Sequence, residues 1–341
     1  MKSSLTKLWS GLEQILYFII VKVLHLSVLD KNWEGFMQFV KFGIIGLSNT
    51  VISYILNVAV LLILSPFSVS WDFFAGNMVG FLLKSVVMVK NSGDVLPVKI
   101  ADKPKVYVPQ RYYPQLVNFF GMVTPERWED TFDAALLSKY YEPVSDPALA
   151  DFAIVVIDGP TSGNGYNTED VKNGGNGYIP ISLQYSDYTA NHAREVSLAG
   201  GDRLEKSANR SYKGKSVKTA NKADLQTVID TKKAMGLKPV ITIVSTGKPF
   251  VPEFEPYSDA ILVSFGCQNQ ALLDLISGAV EPSALLPMQL PADMKTVELQ
   301  KEDVPFDMEC YVDADGNAYD FAFGLNWSGR IEDERVRKYA R

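Results

Sequence analysis

Cysteine and histidine are nearly missing from this chain, with two of each among 341 residues. Cys267 and Cys310 lie far apart and show no metal-ligand spacing, which argues against a zinc site and a disulfide framework. Each reads instead as a small buried residue. His25 and His192 are too few for a histidine-rich metal centre. An excess of basic residues is also lacking. The net charge is -6, so no broad positive face exists for phosphates, and a nucleic-acid partner is not expected. The sequence predicts no metal site.

Charge is absent in one place where its absence matters most. From Phe42 to Leu64 the chain runs 23 residues without a charged side chain, and roughly 20 suffice to cross a bilayer. Gly43, Gly46, Ser48, Asn49, Ser53 and Asn57 interrupt the run as small and polar helix-contact residues do in a membrane. Pro66 and Trp71 mark a turn, and a second apolar run from Phe73 to Val89 contains only Lys84. The expectation is an interfacial helix in residues 1–34 and a two-helix membrane hairpin over 35–90. Lys2, Lys7, Lys31 and Lys41 precede the first span, and Lys90 and Lys99 follow the second. That bias places both chain ends, and the domain that comes after the hairpin, on the cytoplasmic side of the membrane.

Phe39-Val-Lys-Phe-Gly-Ile-Ile-Gly-Leu-Ser-Asn-Thr-Val-Ile-Ser-Tyr54 and Trp71-Asp-Phe-Phe-Ala-Gly-Asn-Met-Val-Gly80 resemble the start of a GtrA-like protein. That family consists of small four-helix membrane proteins linked to movement of lipid-linked sugars. The resemblance covers about residues 33–83, and only two of the four helices. It implies the lipid bilayer as a partner, another GtrA-like chain to complete the bundle, and sugar translocation as one reading of function.

After residue 90 the period of the apolar pattern changes. Short β-rich runs alternate with helical stretches, the signature of an α/β layer structure with a largely parallel sheet. Lys105–Val108, Asp151–Ile157, Val240–Val244 and Ala260–Phe265 read as strands. Ala223–Met235 reads as a helix stopped by Gly236, and Asn269–Ser277 as one closed by Gly278. In such sheets ligands bind at the carboxyl ends of the strands. The long connection after Ile157 is rich in Gly, Asn and Ser and carries Tyr166, Tyr178, Tyr185, Tyr188 and Tyr212. Flat rings beside hydrogen-bonding groups suit a sugar, and long structured loops tend to be functional. Asp313-Ala-Asp-Gly-Asn317 reads as a turn rather than a calcium loop.

Four blocks carry a second resemblance. Lys84-Ser-Val-Val-Met-Val-Lys-Asn91 with Val95-Leu-Pro97, Asp259-Ala-Ile-Leu-Val-Ser-Phe-Gly266, Gly278-Ala-Val-Glu-Pro-Ser-Ala-Leu-Leu-Pro287 and Tyr319-Asp-Phe-Ala-Phe-Gly-Leu325 occur in order. Together they resemble the second domain of family 3 glycoside hydrolases, with Ala284 where glycine is usual. The resemblance covers residues 84–341 and implies an α/β sandwich over 91–341, behind the all-α hairpin. It further implies a β-glucosidase-like setting: hydrolysis of O-glycosyl bonds, a carbohydrate (β-glycoside) ligand and no cofactor.

A retaining glycosidase needs two carboxyl groups about 5 Å apart. In family 3 the nucleophile stands on a separate barrel, which has no counterpart between the hairpin and Lys84, so this chain alone is expected to be inactive unless another chain supplies the barrel. The acid/base comes from a loop of the second domain. Its usual Ser-Gly-Glu-Gly-Tyr block appears here as Ser162-Gly-Asn-Gly-Tyr166, with Asn164 in the glutamate's place. Asp202-Arg203 resembles the family's Asp-Arg pair. Glu195 and Asp202 are therefore the catalytic candidates, and Tyr166, Glu169, Asp170, Tyr178, Arg194 and Arg203 the substrate-binding ones. A membrane-tethered sugar-binding module without chemistry is the rival reading.

Overall fold

Four apolar runs, Val86–Asn91, Phe152–Asp158, Val240–Ser245 and Ala260–Ser264, build the centre of one sheet. All are rich in Val and Ile, whose branched Cβ favours the pleated backbone. Their side chains are buried on both faces, which explains why the runs are continuous rather than alternating. The computed structural model describes residues 85–101, 103–117, 122–198, 208–301, 304 and 306–339. The chain divides between Leu82 and Leu83 into two units, and the described residues all belong to the second.

The strands in chain order are β1 (Val86–Asn91), β2 (Lys105–Tyr107), β3 (Arg111–Tyr113), β4 (Leu116–Val117), β5 (Val123–Thr124), β6 (Arg127–Glu129) and β7 (Glu142–Val144). Then come β8 (Phe152–Asp158), β9 (Tyr188–Thr189), β10 (Ser216–Val217), β11 (Val240–Ser245), β12 (Ala260–Ser264), β13 (Leu325–Asn326) and β14 (Gly329–Arg330). The helices are α1 (Ala134–Leu137), α2 (Thr168–Lys172), α3 (Lys222–Met235), α4 (Asn269–Ile276), α5 (Met294–Leu299) and α6 (Glu334–Tyr339).

The main sheet has eight strands in the order β14-β13-β1-β12-β11-β8-β2-β7. From β12 to β7 all neighbours run parallel, whereas β1, β13 and β14 are antiparallel additions. The parallel-rich α/β expectation therefore holds for this unit. The strands expected at β2, β8, β11 and β12, and helices α3 and α4, all form within a residue or so of the expected bounds. Gly236 and Gly278 end the two helices with φ of 61° and 81°.

One expectation must be corrected. The apolar pattern carries the second membrane helix to Val89, and the hairpin to residue 90, yet Val86–Asn91 is β1. It pairs with β12 from Val86↔Ser264 to Asn91↔Ala260, and Val87, Met88 and Val89 have no exposed surface. Ser-Val-Val-Met-Val is apolar enough for either fate. A sheet slot between two partners satisfies the backbone and buries both faces. The remaining hairpin, interfacial-helix and GtrA-like expectations lie outside the described residues. Among the described residues no helix is long and apolar enough to cross a membrane.

The four family-like blocks meet in space. Asn91 exchanges side-chain hydrogen bonds with the Leu96 backbone (2.8 and 3.0 Å). Gly278 lies against Pro97, where an added Cβ would come within 2.7 Å. The segment around Leu286 pairs with Phe323 and Ala322 through backbone bonds of 2.7 and 2.8 Å, and Gly324 abuts the Ala284 carbonyl. Both cysteines are half-buried where buried positions were expected, and neither is part of a disulfide. Asp313–Asn317 is the expected turn: the Asp313 carboxylate accepts the amides of Asp315 and Asn317, and Gly316 sits at φ 80°. No group of potential metal ligands assembles among the described residues.

Candidate functional site

Parallel strands of one sheet all end on one side, and here β2, β8, β11 and β12 stop there at Tyr107, Asp158, Ser245 and Ser264. Ser85, just before antiparallel β1, arrives at the same edge and accepts the Phe265 amide (3.0 Å). The long connection leaves this edge at Asp158 and returns to it at Asn221, the residue before α3.

Asn221 fastens both ends of that connection. Its Oδ1 accepts the Thr161 amide (2.8 Å), and its Nδ2 donates to Asp224 (2.9 Å) and to the carbonyls of Asp158 and Gly159 (both 3.2 Å). The side chain is thus drawn to the loop and does not cap the helix it precedes. Beneath it lies a buried ion cluster. Arg111 binds Asp224 through Nε (3.0 Å) and Nη2 (2.9 Å), and Asp158 through Nη1 (2.7 Å). Its guanidinium also lies over the Tyr113 ring at 4.6 Å. Burial pushes the Asp224 carboxyl upward, while Arg111 opposes that push. Sequence reasoning missed this cluster. Its partners stand 113 positions apart, and no local spacing announces them.

Farther out, Ser162-Gly-Asn-Gly-Tyr166 turns sharply, with Gly163 and Gly165 at φ 90° and 80° on either side of Asn164. Asn164 Oδ1 accepts the Tyr166 amide (3.2 Å). The Tyr166 ring is exposed and meets Tyr178 edge to face at 5.6 Å, while an isolated bridge joins their backbones. Gly177 lets the Tyr166 ring lie flat against the chain, since a Cβ there would collide with it. Asp170 holds the turn closed by accepting the Gly177 amide and the Lys215 ammonium, each at 2.7 Å. These two contacts hold its carboxyl below the ordinary range. Asn164, Tyr166, Asp170 and Tyr178 are therefore brought together.

The remaining candidates fare differently. Glu169 on α2 is exposed and paired with Lys172 (2.5 Å). Glu195 is exposed and paired with Lys213 (2.9 Å), which holds its carboxyl low. Arg194 is half-buried, its carbonyl accepts the Ser211 hydroxyl, and its charge partly offsets the upward push of burial on Tyr212. Asn176 links this second segment to the first by donating to the carbonyls of Asn209 (2.9 Å) and Ser211 (2.7 Å). Asp202 and Arg203 lie outside the described residues. Tyr185, read as a binding aromatic, is instead fully buried and donates to the Asp158 carbonyl (2.7 Å). Its ring anchors the loop to the core, and Tyr188 and Tyr212 are half-buried.

Glu169, Asp170, Asp187 and Glu195 each face a lysine, the third being paired with Lys222 at 3.1 Å. A general acid for glycoside cleavage needs a carboxyl that keeps its proton near neutral pH. For Asp170 and Glu195 the lysine does the opposite and holds the carboxyl below its ordinary range.

The glycosyl hydrolase family 3 C-terminal domain matches residues 86–327, and the chain belongs to that family. Among curated proteins, beta-glucosidase C of Emericella nidulans is 37% identical over 73 residues, 21% of this chain and 12% of that protein. Probable beta-glucosidase C of Aspergillus flavus is 34% identical over 105 residues, 29% of this chain and 16% of that protein. The chain thus spans less than a fifth of the length of these relatives. Among solved structures, the beta-glucosidase from Listeria innocua in complex with glucose has a TM-score of 0.38 at 13% identity, covering 76% of this chain and 34% of that one. Beta-glucosidase 3B from Thermotoga neapolitana in complex with glucose has a TM-score of 0.35 at 14% identity, covering 71% and 36%.

Proposed function

We propose that the α/β unit is the loop-bearing half of a β-glycoside site, which binds the sugar and does not cleave it unaided. The observation that carries this reading is the pairing of all four described loop carboxylates with lysines, together with an amide at Asn164. The exposed Tyr166 ring beside that amide offers an apolar face next to a hydrogen-bonding group, the combination a pyranose ring requires. Membership of a family whose relatives are named beta-glucosidases supports a glucoside as the ligand.

The test uses the full chain with p-nitrophenyl β-glucoside. Saturation-transfer NMR is expected to show the glucoside bound, with Tyr166→Ala weakening it several-fold, about 1 kcal/mol for one lost aromatic contact. Nitrophenol release is expected to stay at the buffer rate. Saturable turnover that disappears in Glu195→Gln or Asp170→Asn would overturn the proposal.

A further inference from the structure

We infer that a second carbohydrate site, separate from the loop, lies in the cleft between the β3–β6 hairpin and the outer face of α3. The cleft is open to solvent and spans about 960 Å³, within the range of about 300–1,000 Å³ typical of small-molecule sites. Its wall is Trp128, an indole left 60% exposed. The exposed ring has an aromatic partner behind it. Tyr112 pairs with Trp128 across the hairpin and backs it at 5.2 Å, and its hydroxyl is fixed to Glu126 Oε2 (2.6 Å).

The opposite wall is one stripe of α3. Ala223, Thr227 and Ala234 are small enough to leave room for a ring over the helix. Polar groups come in two matched pairs, one on each wall. Gln110 Nε2 donates to Asp130 Oδ1, and Gln226 Nε2 donates to Asp230 Oδ1, each at 2.9 Å. An amide locked to a carboxylate presents a fixed row of acceptors and one further N–H donor. That row suits vicinal hydroxyls, while the indole face takes the C–H side of a sugar ring.

Among the described residues, no lysine, arginine or histidine lines the cleft, so a phosphate or other anion finds no counter-charge there. The chemistry selects a neutral oligosaccharide, its rings stacked on Trp128 and its hydroxyls read by the two pairs. This site does not depend on the loop reading, because none of the loop's candidate residues lines it.

The experiment titrates the full chain, labelled at its indole nitrogens, with cellotetraose, laminaritetraose and xylotetraose. One of them is expected to shift the Trp128 indole resonance. Trp128→Ala should then lower the affinity measured by calorimetry about tenfold, and Gln226→Ala about threefold. In Tyr166→Ala the affinity read from the Trp128 resonance, which reports the cleft alone, should stay within about twofold of the parent, whether or not the loop proposal stands. Both cleft side chains lie at the surface, and an unchanged melting temperature will verify that the variants fold. The inference fails if no tetrasaccharide at millimolar concentration moves the Trp128 signal. It fails equally if Tyr166→Ala abolishes the sugar-induced Trp128 shift, or if tetramethylammonium shifts the signal where the sugars do not.

Discussion

Replacing Asp224 by alanine removes the acceptor on which the sheet edge converges. Four donors reach this carboxylate: Arg111 Nε and Nη2, Asn221 Nδ2 and the Asp158 amide. The Asp224 side chain is 1% exposed and that of Arg111 is 9% exposed, so the substitution leaves a cation buried without its main partner. Breaking such a pair costs about 3–5 kcal/mol. Two features of the site favour the lower end. Asp158 still holds Arg111 at 2.7 Å and is half-exposed, and Asn221 keeps its two carbonyl acceptors. A loss of about 3 kcal/mol is the expected result, equivalent to about 150-fold in the opening equilibrium. Hydrogen exchange at the β8 and β11 amides, Val155 and Ile243 among them, reads that equilibrium directly, because central strands open only with the whole unit. Arg111→Met with Asp224→Leu removes both charges and should cost only about 1 kcal/mol, chiefly for the acceptor lost to the Asp158 amide. Exchange in Asp224→Ala within a few-fold of the parent, or a double variant worse than the single one, would refute the reasoning.

Other consequences can be measured as simply. The Asp170 carboxyl is held below its unfolded value of about 3.9 by Lys215 and Gly177, so its contribution to loop closure is present above about pH 4 and lost as pH falls through the lower folded value. Exchange of the Gly177 amide should accelerate in that acidic window, and Asp170→Asn should flatten the dependence; an unchanged profile in the variant would contradict it. Gly324→Ala drives a methyl into the Ala284 carbonyl and should lower stability by about 2–3 kcal/mol in thermal unfolding, whereas a neutral result would mean that the contact relaxes freely. Gly177→Ala should dislodge the Tyr166 ring and weaken glucoside binding about as much as Tyr166→Ala does, and retention of full affinity would remove that ring from the site. The uncharged run from Phe42 to Leu64 leads to the expectation that the full chain stays with membranes in alkaline carbonate; release to the supernatant would contradict it.

Local pattern was enough for the middle of this fold. Strands β8, β11 and β12 are covered on both faces, so their sequences are near-continuous runs dominated by Val, Ile and Ala. Glycines that stop α3 and α4 are visible for a similar reason, because the left-handed turn after each helix excludes most side chains. The same local grammar could not assign Val86–Asn91. Six apolar-rich residues fit the tail of a membrane helix or a buried strand, and only the slot between β12 and β13 decided between them. Nor could sequence tell which tyrosines of the loop face solvent. Tyr166 lies on Gly177 at the surface, whereas Tyr185 packs against Phe254 in the core. The loop carboxylates were legible as candidates and Asp224 was not, and for none of them could the cationic partner be read. Lys215 stands 45 positions from Asp170, and Arg111 113 positions from Asp224. Periodicity reports which face of an element is apolar; the partner that sets a carboxyl's proton affinity is chosen by the folded chain, across distances that no sequence window spans.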